Sequence, residues 1–440
     1  MSVFPKYERY KDSDIEWLGE VPEHWRVRRN LGVFDERKEC NQPEEELLSV
    51  TVSRGIIRQS EITAKKDSSN DDKSKYKVVR VGDLAYNKMR AWQGALGISA
   101  FNGIVSPAYV VLSPRNQRLS KYFHYLYRTP QFITEANRLS YGLCDDMNSL
   151  RYEHFKTSYT PLPPDDEIDR IVAFLDQKTA EIDALIAKKQ RQIELLDEQK
   201  AILINRAVTR GLDPNAKLKP SGIEWIGDIP ERWEVKKLRW LLRTSVKNGI
   251  SPPISEKGKV PTLSIAAVKN GQVTFGENVK FTAIHKSEAA SYLLREGDVL
   301  ALRGNGSRHL VATAGIVGSH VPEGCIYPDL LIRIQPTSLI AAHYLVIQLN
   351  GVLRDGINLT AKTSAGIWKV SGESLSAQKV LLPPPVEQTT ILAYVDSVQE
   401  KTAVCKSGIT REIESLKSLR STLIAHAVTG SIRVELKPND

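Results

Sequence analysis

The chain has 440 residues, 41% of them hydrophobic and 26% charged, and a formal net charge of +9. That is the composition of a soluble globular protein with room for two or three domains, and no apolar run reaches the length of a membrane span. Four dispersed cysteines (Cys40, Cys144, Cys325, Cys405) without a CxxC pair speak against a disulfide framework or a zinc site. The N-terminus lacks the basic-then-apolar layout of a secretory signal, so the expected compartment is a reducing cytoplasm.

Taken in order, the chain repeats itself. Ile15–Trp25, IEWLGEVPEHW, returns at Ile223–Trp233 as IEWIGDIPERW, displaced by 208. Two tryptophans bracketing a glycine and a proline read as an apolar clasp without chemistry of its own. LLSVTVSRGII from Leu47 matches TLSIAAVKNGQV from Thr262, with Ser49 on Ser264 at a shift of 215. Alternation and β-branching predict strands running into a turn in both. VRVGDLAYNK from Val79 matches LREGDVLALR from Leu294 at the same shift, predicting a turn at Gly82-Asp83 and Gly297-Asp298 followed by an apolar strand. Ala95–Ile98 answers Thr313–Ile316 at 218, and Pro107 answers Pro328 at 221.

The shift then settles at 220 across two long stretches, residues 163–211 and 383–430. Each starts at consecutive prolines, tolerated only in a first helical turn, and ends at glycine. Between these limits runs a heptad seam: Val172, Leu175, Ile182, Ile186, Ile193, Leu196 and Leu203 in the first, Leu392, Val395, Ile409, Ile413, Leu416 and Leu423 in the second. Forty residues at about 1.5 Å each make a rod of roughly 60 Å. Matching seams predict that the rods pack on one another. Over residues 165–210 there are eight Lys or Arg against ten Asp or Glu, and over 386–429 five of each. The positive excess therefore lies outside the rods, where it suits a polyanion-binding surface.

A shift growing from 208 to about 220 means small insertions in a duplicated unit. The expected fold class is α+β: two tandem recognition domains of mixed sheet and helices, joined by two long helices in an antiparallel, pseudo-two-fold coiled coil. The expected boundaries are 1–162 for domain one, 163–211 for the first helix, 212–382 for domain two, 383–430 for the second helix and 431–440 for a tail. The RGNG run at Arg303 lacks both GxxxxGK[ST] and a strand–helix frame, which excludes a P-loop. No HExxH, no GxGxxG behind a predicted strand and no amino-methyltransferase Asn/Asp-Pro-Pro-Tyr motif occurs. His24 and His154 read as structural and Asp145-Asp146 as a turn feature, so no catalytic, cofactor-binding or metal-binding residue is expected.

The order of domain, PLPP-led helix, IEWIGDIPERW restart, second domain and second helix ending in AVTG resembles type I restriction-modification specificity subunits over nearly the whole chain. GDLAYNKMRAWQGALGIS with GIVSPAYVVLSP (Gly82–Pro114) and GDVLALRGNGSRHLVATAGIVG (Gly297–Gly318) are similar to the centres of their target-recognition domains. The resemblance implies that each domain reads one half of a split, asymmetric sequence in double-stranded DNA. It further implies that the helices act as spacer and dock two methyltransferase subunits, and that restriction/translocase subunits join through the complex. S-adenosylmethionine, ATP and Mg2+ would sit on those partners, and this chain would bind no cofactor and not be an enzyme. Base readout calls for Arg or Lys on guanine and Asn or Gln on adenine. In domain one Arg54, Arg58, Asn87, Lys88, Arg90, Trp92 and Gln93 offer that chemistry; in domain two Arg303, Asn305, Ser307, Arg308 and His309 do. The rival readings are a self-contained DNA methyltransferase or nuclease, which the missing motifs oppose, and an assembly scaffold that binds no DNA, which the basic excess opposes.

Overall fold

A computed structural model describes residues 4–62, 72–142, 148–255, 257–364 and 366–435. The chain divides into two compact units, residues 1–191 with 409–440, and residues 192–408. Cys144 and the Asp145-Asp146 pair lie outside the described residues; Cys40, Cys325 and Cys405 are free thiols. No helix among the described residues is long and apolar enough to cross a membrane.

The first unit is built on a four-stranded antiparallel sheet in the order Phe34–Glu36, Tyr109–Pro114, Leu84–Asn87, Leu96–Ile98. Gly82 takes the positive φ (+92°) that the Gly-Asp turn requires, and the Asp83 carboxylate accepts the Arg80 backbone N–H at 2.8 Å. The LLSVTVSRGII stretch forms the expected strand and turn and continues into a second strand, making a hairpin of Leu48–Thr51 against Gly55–Arg58. Helices Ser120–Leu126 and Pro130–Arg138 cover the sheet, the second starting on a Thr129 cap with proline at its first position. Their core is aromatic: Phe34, Tyr86, Tyr122, Phe123, Tyr127, Phe132 and Phe155 are all fully buried.

The second unit repeats the plan around a six-stranded sheet, with Leu331–Ile334, Val299–Leu302 and Ala314–Ile316 at its centre. Gly297 (φ +82°) and the Asp298 carboxylate repeat the turn of the first unit. One expectation holds only in part. The strand at Val260–Leu263 breaks into a 3-10 turn at Ile265–Ala267, and the hairpin that follows is only Val268–Lys269 against Gln272–Val273. Its bend is Asn270-Gly271 with φ of +52° and +77°, a pair suited to a tight two-residue turn.

Two long helices, Asp165–Arg210 and Pro385–Val428, each contribute to both units. Within the first unit Asp183 meets Arg420 at 3.0 Å and Lys189 meets Glu412 at 2.6 Å; within the second Asp197 meets Lys406 at 2.6 Å. No seam residue named above is exposed, whereas Leu185, Leu195, Ile202, Val404 and Leu419, which lie off the seam, all are. Gly211 (φ +70°) and Gly430 (φ +77°) follow the two C-termini in the left-handed conformation that ends a helix.

Candidate nucleic-acid interface

A clasp that the sequence suggested only in its apolar half ties each domain to the start of a long helix. In the first unit Trp25 is fully buried and its indole Nε1 donates to Glu167 Oε2 at 2.9 Å. Tyr7 donates its hydroxyl to the same oxygen at 2.9 Å, and His24 Nε2 lies 2.6 Å from Oε1. Burial and the adjoining Glu167 carboxylate hold the Tyr7 hydroxyl well above its ordinary pKa. Glu167 lies in the first turn of its helix, where negative charge also meets the positive end of the helix dipole. In the second unit Glu387, 220 residues on, pairs instead with Arg232, two contacts at 3.0 Å. A second tie recurs as well. Tyr122 donates to Val428 O at 2.8 Å and Tyr344 to Val208 O at 3.2 Å, each satisfying a carbonyl that a helix end leaves open.

Each unit also carries a candidate reading loop, and the backbone shows the two loops to be counterparts. Lys88 O accepts the Leu150 N–H at 2.9 Å while the Lys88 N–H points to Ala108 O at 3.4 Å. Arg303 O accepts the Val370 N–H at 2.9 Å while the Arg303 N–H points to Leu330 O at 2.7 Å. A basic residue just beyond the central strand is thus held by the same two bonds in both units. An asparagine shapes each bend: Asn87 Oδ1 accepts the Met89 N–H at 3.0 Å and Asn305 Oδ1 the Ser307 N–H at 2.9 Å.

In the first unit the structure brings Asn87 and Arg90 to one recess of about 670 Å³, walled by the Leu48–Thr51 strand, Gln59, Tyr76 and Tyr109. Lys88 is half-buried; Arg90 and Gln93 are exposed. The Trp92 indole is tied to Met89 O at 2.9 Å, so it braces the loop. Arg54 and Arg58 lie elsewhere on the hairpin: Arg54 pairs with Glu61 at 3.3 Å, and Arg58 pairs with Glu46 at 3.3 Å over the Phe101 ring. Gln59, Tyr76 and Tyr109 were not among the expected residues. Gln59 opens the 3-10 turn after the hairpin, Tyr76 precedes the Lys77–Val79 strand and Tyr109 begins its own strand, so only the folded chain brings them to the recess.

In the second unit Arg303, Asn305, Ser307, Arg308 and His309 stand together on a loop that pairs with the Ile367–Lys369 strand. Arg308 is partly committed, its Nε donating to Asn358 O at 3.0 Å with the guanidinium 5.0 Å from the Trp368 ring centre. Ser307 Oγ lies 3.1 Å from the His309 ring. The hairpin Lys362–Ser364 with Ile367–Lys369 adds two exposed cations, Lys362 and Lys369, to the same face. Sequence reasoning passed over this hairpin because KTSAGIWK lacks the long alternation of a typical strand. No group of His, Cys, Asp or Glu suited to a metal ion occurs among the described residues.

Comparison with known proteins agrees with this geometry. Residues 230–415 match the family described as Type I restriction modification DNA specificity domain. The chain is similar to the Type I restriction enzyme EcoKI specificity subunit of Escherichia coli K12, 26% identical over 328 residues that cover 74% of this chain and 68% of that one. It is also similar to the putative type I restriction enzyme MjaX specificity subunit of Methanocaldococcus jannaschii, 22% identical over an alignment of 454 residues covering 98% of each. A solved structure described under the complex assembly and conformational transition of the type I R-M system shares the fold, with a TM-score of 0.66 at 18% identity over 93% of this chain and 98% of that one. The chain is thus similar to the specificity subunits of type I restriction enzymes, in sequence and in fold.

Proposed function

We propose that each globular domain reads one half of a bipartite, asymmetric DNA target, through the Asn87–Gln93 loop and its recess in the first and the Arg303–His309 loop with the Lys362–Lys369 hairpin in the second. The observation that carries this reading is the equivalence of Lys88 and Arg303, two basic residues held by matching backbone bonds at the head of loops whose sequences otherwise differ. A duplicated frame with unlike loops suits unlike half-sites. In this reading the domains span 1–162 and 212–382, and the two helices 163–211 and 383–430 join them. The two long helices form an antiparallel coiled coil with an approximate two-fold axis and set the gap between half-sites. The ion pairs Asp183–Arg420, Lys189–Glu412 and Asp197–Lys406 support that arrangement, since the partner's number falls as the first helix is ascended. Two methyltransferase subunits dock on the helices, restriction subunits join through them, and S-adenosylmethionine, ATP and Mg2+ are bound by those partners.

The test is to map methylated adenines in the host genome, then insert one heptad into the Asp165–Arg210 helix and map them again. Lengthening the central gap with both half-sites unchanged is the expected result; an unchanged gap defeats the spacer role. Arg90→Ala and Arg303→Ala should each relax one half-site only, by about 1–3 kcal/mol where the contact to guanine is bidentate.

A further inference from the structure

A second recess in the first unit, about 670 Å³, lies where the Leu48–Arg58 hairpin turn meets the two helices, and it shares Ser53 with the candidate reading recess. Arg54, Arg128, Lys417 and Arg420 line it, against a single lining carboxylate, Asp183. Three of those cations have acidic partners: Arg54 with Glu61, Lys417 with Glu414 and Arg420 with Asp183. Arg128 differs. Its guanidinium donates to three backbone carbonyls, Leu96 O at 2.7 Å, Val52 O at 3.1 Å and Ser53 O at 3.0 Å, with no carboxylate among the described residues within ion-pair distance. With the Arg420 guanidinium nearby, the Arg128 charge adds to a local positive potential that favours an anion in the recess.

The second unit shows that the structural part of this job needs no charge. Asn350 stands 222 residues on from Arg128, and its neutral amide tethers the equivalent strand, donating to Ala314 O and accepting from Ala314 N, both at 2.8 Å. The buried guanidinium of that unit, Arg354, sits one helical turn further along and spends its donors on His309 O, Val311 O, Thr313 Oγ1 and Asn350 Oδ1. Since an amide suffices for the tether, the positive charge at Arg128 is free for another role.

We infer that this recess seats a backbone phosphodiester of the DNA whose bases are read in the adjoining recess, and that only the first unit has such a seat at this position. The inference rests on the DNA-reading function proposed above. Arg54 and Lys417, both about half exposed (53% and 55%), close over the phosphate from the hairpin and the helix, while Arg128 supplies the field from beneath. The contact carries no sequence information; it orients the duplex on the domain.

The experiment uses the full chain assembled with its methyltransferase partner, titrated over a range of salt with duplexes carrying either the target or a scrambled sequence. The variant is Arg54→Gln with Lys417→Gln, two exposed side chains whose loss leaves the core intact. The expected result is an equal fold-loss of affinity for both duplexes and a log K against log salt slope shallower by about one, the share of one phosphate. Single neutral methylphosphonate substitutions should reveal one position that weakens the wild type and leaves the variant unaffected. An unchanged slope, or a loss confined to the target duplex, overturns the phosphate seat. Loss of the methyltransferase with DNA affinity intact also overturns it and makes the recess a protein-docking site. A wild-type complex with no preference for target over scrambled DNA defeats instead the reading of the whole protein as a sequence reader.

Discussion

The two units hold the ends of their long helices with the same parts and join those parts differently. Each buries a tryptophan completely, Trp25 or Trp233, beneath a glutamate in a first helical turn. In the first unit the indole donates to that glutamate, whereas in the second Arg232 takes the glutamate and the buried Trp233 Nε1 has no hydrogen-bond partner. The comparison separates what the duplicated frame demands from what it tolerates. Shape is kept, in the form of a large aromatic, a glycine beside it and a tyrosine under the helix end. The polar wiring is free to drift, provided the carboxylate finds some donor.

Removing the shape should hurt both units alike. Trp25→Ala and Trp233→Ala are each expected to cost about 3–5 kcal/mol, measured by denaturant unfolding of the purified chain. Substitution by phenylalanine then sharpens the comparison. Trp25→Phe deprives Glu167 of a charge-assisted hydrogen bond and should cost about 1.5–3 kcal/mol more than Trp233→Phe, which removes an N–H already without a partner. Equal losses for the two phenylalanine variants would mean that the wiring difference has no energetic meaning.

The glycines should split the other way, by rigidity of the neighbour. A Cβ on Gly430 would lie 2.4 Å from Pro22 Cδ, a ring that cannot swing aside. A Cβ on Gly211 would lie 2.9 Å from Glu387 Oε1, the far end of a flexible side chain. Both substitutions carry the left-handed backbone cost of about 1–2 kcal/mol. Gly430→Ala should therefore destabilise by roughly 3 kcal/mol and Gly211→Ala by little beyond its backbone cost. Matching melting temperatures for the two variants would count against this account.

This contrast also marks how far the sequence could be read. The duplication, the helices and the Gly-Asp turns were legible because each rests on local physics: a heptad period, a proline start, a glycine stop, a positive φ. The clasp was legible only as aromatic packing, since nothing in IEWLGEVPEHW says that Trp25 and His24 will meet a glutamate more than 140 residues away. The two candidate loops could be recognised as counterparts, but their members could not be sorted. Only the fold shows that Trp92 braces its loop, that Arg308 is held against Trp368, and that Gln59 and Tyr109 face the recess with Asn87 and Arg90. The hairpin at Lys362–Lys369 was missed because its pairing is long-range, with Asn305 opposite Trp368.

Acid should discriminate the units next. His124 stands where the second unit has Val346, 222 residues on. Burial, reinforced by Arg128 and Arg420, lowers the His124 pKa to about 4, with Lys121 adding to the fall and Asp176 opposing it. The unfolded chain thus binds this proton first as pH falls. The stability held by neutral His124 is complete above pH 6.5 and drains away between there and about pH 4, on the order of 3 kcal/mol in all. His124→Val, which copies the second unit, should flatten that part of the stability profile for the first unit. Parallel profiles for wild type and variant between pH 4 and 6.5 would contradict it.

The smallest effect tests the tie beneath each helix end. Tyr122 reaches Val428 O at 2.8 Å and Tyr344 reaches Val208 O at 3.2 Å, and both hydroxyls are buried, with their pKa values raised well above the ordinary range by desolvation. Tyr122→Phe leaves a buried helix-terminal carbonyl without its donor and should cost about 1–1.5 kcal/mol. Tyr344→Phe breaks a longer bond and should cost about 0.5–1 kcal/mol. Because the aromatic ring remains, neither variant opens a cavity, so the difference isolates the hydrogen bond. Hydrogen exchange at the last helical turns provides the local readout: faster exchange confined to the turn before Gly430 in the first variant and before Gly211 in the second. Exchange that quickens throughout the unit in either case would mean that the tyrosines support the core and do not cap the helices.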